Sequence, residues 1–212
     1  MKYINYDFFF FAIAILHFLV IFVDNKSFSV LVLESRILNS KIRSWNKRER
    51  IGTFRGIGLL IPPMLGYYLA QGLIQNIKLA YLMASLISLI LTLIQFHYLN
   101  KKIYNKDVND FRINLKMIFL IILGSIGFFF LYHVHFLTNI LAHYFNEHAL
   151  WLVQITPFLS AISTFYVIFV MDKKIAKNLD YGNIKYKNIL QIMIVRTFGR
   201  FINLLVSIFI VI

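Results

Sequence analysis

Residues 188–212 read NILQIMIVRTFGRFINLLVSIFIVI. A helix of that length reaches roughly 37 Å, against roughly 30 Å of bilayer hydrocarbon. Arg196 and Arg200 nonetheless stand inside it. A charge facing lipid at that depth costs from about 3 to above 10 kcal/mol. Spacing of four puts the two arginines on one helix face, and Asn203 and Ser207 continue that face. The other faces carry Ile, Leu, Phe and Val. The polar stripe must therefore look into protein or a water-filled cavity. One reading is a buried cationic site for an anion, above all phosphate, because the planar guanidinium suits phosphate oxygens. The other is that the arginines pair with carboxylates or backbone carbonyls, or reach back to a membrane surface.

The rest of the chain agrees with a membrane location. Of its 212 residues 59% are hydrophobic, and mean hydropathy is +0.72. A soluble domain is nearer 45–50% apolar. Several runs approach the roughly 20 apolar residues that a span needs, and no segment is polar enough to form a second domain. Residues 1–212 are thus expected to form a single polytopic transmembrane domain. There is no cysteine, hence no disulfide or thiolate chemistry. The first apolar run lacks a basic leader and a cleavage motif, and is expected to be retained. The net charge is +13. It lies in connections between spans, where it sets orientation and meets anionic membrane lipids. No nucleic-acid-binding motif accompanies it.

The expected architecture is an all-α integral membrane protein with six transmembrane helices. Two of them are expected to be proline-kinked, and an interfacial amphipathic helix follows the first. Span 1 covers about 3–23, with His17 as its strongly polar interior group; an interhelical hydrogen bond is the plainer role for it. SFSVLVLESRIL, within 24–54, has the pattern of the interfacial helix. Span 2 covers about 51–74. Arg55 lies at its start, and Gly58, Pro62 and Gly66 repeat every four residues. Small residues on one face permit close approach; Pro62-Pro63 should kink the helix near mid-membrane. QNIK is read as the turn into span 3, about 79–99. There Ser85, Ser88, Thr92 and Gln95 share a face, suited to helix packing or to a cavity. Span 4 covers about 117–140, with Gly124 and Gly127. His133 and His135 are placed towards its outer end, beside His143 and His148, but the spacing matches no metal motif. Span 5 covers about 149–171, where Gln154, Pro157, Ser160 and Thr164 form a second kinked polar stripe.

The segments 24–56, 100–116 and 172–187 hold 18 of the 22 Lys and Arg. They belong on one side, the cytoplasmic one, which places both termini outside. Arg55, Arg196 and Arg200 then form a cationic ladder from that surface towards mid-membrane.

Short motifs extend this reading. Arg55 is followed by Pro63-Met64-Leu65-Gly66, and FVMDKKIAKNLDYGN leads into VRTFGRFINLLVS. Over roughly 50–105 and 165–210 the chain resembles the Amj family of alternative lipid II flippases. Gly199-Arg200-Phe201 departs from the family's less charged pattern, and the chain is shorter than its members. The resemblance implies a multi-pass protein of the bacterial cell membrane that carries lipid II from the cytoplasmic to the outer leaflet. It maps family-like positions onto Arg55, Pro63, Gly66 and Arg196.

With the residue reading, the expected headgroup site is Arg55, Arg196, Arg200 and Asn203. The expected cavity and gate are Gly58, Pro62, Pro63, Gly66, Gln95, Gln154 and Pro157. No cofactor or metal is implied. An enzyme acting on lipid phosphates would need clustered carboxylates, which Asp107, Asp110, Asp172 and Asp180 do not supply. The alternatives are a non-catalytic six-helix subunit, serving a transporter or a cell-shape scaffold, and a flippase for another undecaprenyl-linked glycan.

Overall fold

The computed structural model describes residues 6–37, 46–48, 50–51, 53–103, 115–166 and 186–212. All regular structure among them is helical. Helix α1 is Tyr6–Ile37. A 3-10 helix, Thr53–Leu60, leads into α2, Ile61–Ala70. Then follow α3, Ile74–Ile103, and α4, Leu115–Tyr144. A 3-10 turn at Asn146–His148 precedes α5, Ala149–Gln154, and α6, Thr156–Tyr166. The last helix, α7, is Tyr186–Val211.

Four of these segments are long and apolar enough to cross a membrane: Phe8–Leu33, Ile74–Lys102, Asn146–Phe165 and Ile189–Val211. A fifth is added if Ile122–Leu131 and His133–Tyr144, bent by 71°, count as one. Large apolar side chains such as Phe11, Ile94, Phe119, Phe158 and Phe209 point outwards. Such a surface suits lipid, not water.

Helix α7 packs mainly on α3 and α4, α1 packs on α3 and on the 3-10 segment, and α6 covers α4. Contacts fix the directions. His17 meets Ser88 while Asn25 meets Gln95, so α1 and α3 run the same way. Tyr81 meets Asn203, so α7 runs opposite to α3. Gly58 abuts Val20 while Phe9 abuts Tyr67, so the 3-10 helix and α2 run opposite to α1.

Several boundaries differ from the sequence reading. Helix α1 continues unbroken to Ile37, so SFSVLVLESRI extends it and forms no separate interfacial helix. The stretch has no Gly or Pro to stop it, and Asp24 and Asn25 turn into the bundle and find partners there. Pro62 and Pro63 lie in the first turn of α2, where missing N–H donors cost little, directly after the change from 3-10 to α geometry. The turn before α3 is Gln71-Gly72, not QNIK. Gly72 has φ +69°, and the Leu73 N–H donates to the Tyr68 carbonyl at 2.9 Å, a glycine helix stop. In the fifth predicted span the helix breaks at Ile155, with Pro157 second in α6. The described part ends at Tyr166.

Buried side chains fall into two apolar clusters. One gathers Phe28, Leu31, Leu99, Phe128, Ile192 and Met193. The other gathers Ile13, Leu65, Tyr68, Ile77, Tyr81 and Phe136. Between them the bundle is polar.

Candidate functional site

Four helices supply this polar centre. Ser85, Ser88, Thr92 and Gln95 of α3 are all buried, so their shared face looks into the bundle. The face of α7 made of Arg196, Arg200, Asn203 and Ser207 is buried as well. Both stripes are where periodicity places them.

The first layer surrounds Arg196, which is 5% exposed. Its Nη2 donates to Asp24 Oδ2 and, at 2.9 Å, to Asn25 Oδ1. The guanidinium also lies over Phe28 and Phe128, 4.8 and 5.2 Å from the ring centroids. Stacking on aromatic faces is a favourable setting for a planar cation. Gln95 ties the layer to α3, its Nε2 donating to the Asn25 carbonyl at 2.6 Å and to Ser29 Oγ at 3.0 Å. Of the two readings that the sequence leaves open for Arg196, pairing with a carboxylate is the one observed. Asp24 follows span 1 as read from the sequence; because α1 runs on, it is an interior residue.

The second layer is central. Ser88 is the middle residue of Ile74–Lys102, His133 of Ile122–Tyr144 and Arg200 of Ile189–Val211. His17 Nε2 lies 2.7 Å from Ser88 Oγ, and His133 Nε2 lies 3.4 Å from the same oxygen. The two imidazoles are 5.0 Å apart, centroid to centroid. One hydroxyl proton cannot serve both nitrogens, so Ser88 donates to one ring and accepts from the other. Arg200, 1% exposed, lies in this layer by its position along the span. His133 therefore sits at mid-helix, not near the outer surface.

The third layer is held by Asn203. Its Oδ1 accepts from Tyr81 Oη at 3.1 Å, and its Nδ2 donates to the carbonyls of Gly199 and Phe129 at 3.2 and 3.3 Å. Three helices meet at this amide, which gives it a structural task.

The remaining predicted positions are scattered. Arg55 lies on the 3-10 helix, with its side chain outside the described part. Gly58 approaches α1, but a Cβ on Gly66 would meet nothing within 4 Å, so the two do not form one packed face. Pro63, Gln154 and Pro157 are exposed, and Pro62 is half-buried. Among the described residues, a groove of about 340 Å³ lies between α1 and α3, with Gln95 in its lining. No cluster of three or more metal-ligating residues occurs among the described residues.

Sequence reasoning missed Asp24, Asn25, Tyr81 and His133 as members of the centre. A signal for Asp24 was available: it follows His17 by seven residues, two helical turns, on the same face. His133 carried none, because its depth depends on where α4 begins.

Ser88→Ala is expected to lower stability by about 1–3 kcal/mol, because it strips the shared partner from two buried imidazoles. Thermal unfolding of the purified variant in detergent would measure it, with Thr164→Ala, at an exposed position, expected to be near neutral as a control.

No family model, no curated protein and no solved structure matches this chain.

Proposed function

We propose that this protein is a flippase of the bacterial cell membrane that carries lipid II, the undecaprenyl-diphosphate-linked peptidoglycan precursor, from the cytoplasmic to the outer leaflet. The observation that carries the reading is the guanidinium of Arg200, buried at the middle of the span Ile189–Val211. An ionisable group at membrane depth marks a substrate or ion path by default. A diphosphate headgroup too polar for lipid needs such a cation and a polar surround to reach mid-membrane. The motif resemblance to the Amj family supplies the identity of the cargo.

The role is assigned chiefly to Arg200 for its central depth, whereas Asp24 and Asn25 tie Arg196 to α1. Six spans are part of the proposal. The 3-10 helix and α2 cover 53–70 and rise roughly 31 Å, since a 3-10 turn advances about 2.0 Å per residue. The opposed directions of α1 and α2, and of α3 and α7, with 18 of 22 basic residues in the sequence segments 24–56, 100–116 and 172–187, support both termini outside.

The test replaces Arg200 and scores outer-surface accessibility of the lipid-linked headgroup in cells whose other lipid II flippases are removed. Arg200→Ala is expected to reduce flipping at least tenfold. Arg200→Lys, which keeps the charge and loses the planar fork, is expected to retain part of it. Full activity of Arg200→Ala at normal abundance would rule out the diphosphate role.

One observation favours a second reading, a non-catalytic subunit or scaffold. The Asp24–Arg196 pair shows that this bundle uses a buried cation to join helices. Copurification of ATPase subunits or of elongation machinery, with no flipping activity, would favour it.

A further inference from the structure

The groove between α1 and α3 joins apolar and polar groups on the outward surface. Phe22, Val30, Leu91, Ile94 and Tyr98 give it apolar walls. Asn25 and Gln95 give it a polar floor, and Lys26 stands at its rim. Depth follows from helix rise. Lys26 is nine residues beyond His17 and Tyr98 ten beyond Ser88, or about 13 and 15 Å from the central layer. Half of the hydrocarbon thickness is roughly 15 Å. Lys26 and Tyr98 therefore sit at the boundary between acyl chains and headgroups, where tyrosine is enriched. Phe22, Leu91 and Ile94 lie on the side of mid-membrane. Lys101 and Lys102, both exposed, come one turn further out.

Two features point to a bound acceptor. Lys26 is exposed and has no ion pair among the described residues. Asn25, which is 6% exposed and lines the groove, keeps its Nδ2 donor without a hydrogen-bond partner. Its Oδ1 is already taken by Arg196. A buried amide donor left open is costly unless something fills it.

We propose that this groove binds one anionic glycerophospholipid of the surrounding leaflet. Its phosphodiester, with a single negative charge, meets Lys26. As the lipid seats, the Asn25 amide shifts towards the groove and its Nδ2 donates to an ester carbonyl. One acyl chain lies along Phe22, Leu91 and Ile94 towards mid-membrane. A polyprenyl diphosphate is the poorer match, because its greater charge meets only one cation in the groove wall. The lipid is thus distinct from the proposed cargo. It would hold the amide whose other end receives Arg196, and so brace the first polar layer from outside.

The test is native mass spectrometry of the full chain with phosphatidylglycerol, phosphatidylcholine or undecaprenyl phosphate added to the detergent. Retention of one phosphatidylglycerol in preference to phosphatidylcholine is expected. Lys26→Gln should weaken it about fivefold, the worth of one lysine near an anionic lipid. Ile94→Trp, a change on the outward face, should fill the groove and abolish retention. Equal retention of both phospholipids, or indifference to both substitutions, would overturn the proposal. Preferential retention of undecaprenyl phosphate, lost in Ile94→Trp, would overturn it too and assign the groove to the cargo. None of these readouts requires flipping, so they stand or fall apart from the transport reading.

Discussion

Asp24→Ala is expected to destabilise the bundle by about 3–5 kcal/mol, as is usual when one member of a buried ion pair is removed. The carboxylate is the charged partner of Arg196 among the described contacts, and both side chains are almost wholly buried. Its loss leaves a guanidinium among Phe28, Phe128 and apolar neighbours. Arg196→Ala is expected to cost a similar amount, for it strands the carboxylate and empties the space between two rings. The informative variant is the double one. Asp24→Leu with Arg196→Met removes both charges and keeps apolar volume, and is expected to recover most of the loss. A cycle of Asp24→Leu, Arg196→Met and the double change, measured by denaturant unfolding in mixed micelles, gives the coupling directly. Additive losses would show that the pair does not join α1 to α7. The same double variant bears on the proposed function: if the flipping proposed above is measured and this variant retains it, the work of Arg196 is structural.

Gly199→Leu is expected to prevent accumulation of folded protein. A Cβ on Gly199 would stand 2.8 Å from the Ser125 carbonyl oxygen, 2.9 Å from Phe128 Cβ and 3.3 Å from Ser125 Cα. Two of these atoms are backbone, so no rotamer change relieves them, and α4 must move away from α7. Even Gly199→Ala is expected to cost about 1–3 kcal/mol in overpacking, against about 1 kcal/mol gained from helix propensity. The displacement would also pull Phe128 from Arg196 and loosen the Asn203 bonds to Gly199 and Phe129. Gly66→Ala is the control. A Cβ there meets nothing within 4 Å, so only the propensity gain remains and the variant should be neutral or slightly more stable. Abundance after membrane solubilisation, followed by thermal unfolding, compares the three.

These expectations rest partly on features the sequence already displayed. Helical periodicity put Arg196, Arg200, Asn203 and Ser207 on one face, and it put Ser85, Ser88, Thr92 and Gln95 on another. Both faces are buried, because polar groups on a lipid-facing surface are too costly to leave there. His17 carries the interhelical bond expected of it. What could not be read was pairing across long separations. Asp24 looked like a terminal residue, since a charge after an apolar run usually marks a membrane boundary. Its partner lies 172 residues away, and no local pattern encodes that distance. The prolines misled for a related reason. Pro62-Pro63 in an apolar run predicts a kink only if helix precedes it in the same geometry, and here a 3-10 segment does. Gln154 and Pro157 share a face with Ser160 and Thr164 as predicted, but periodicity does not say whether a face turns inwards, and most of this one is exposed.

The separation of Asp24 from Arg196 also sets a clock on biogenesis. The chain must grow by another 172 residues before the arginine exists. At roughly 5–20 residues per second, that interval is roughly 9–34 s. Helix α1 enters the membrane during this time with a carboxylate whose lasting counter-ion has not been made. Any provisional partner, whether water at the nearby interface or an insertion factor, has to be surrendered when α7 arrives. Assembly of the first polar layer is therefore post-translational in effect, and a nascent chain arrested before Arg196 should hold α1 in a shallower position than the finished protein does.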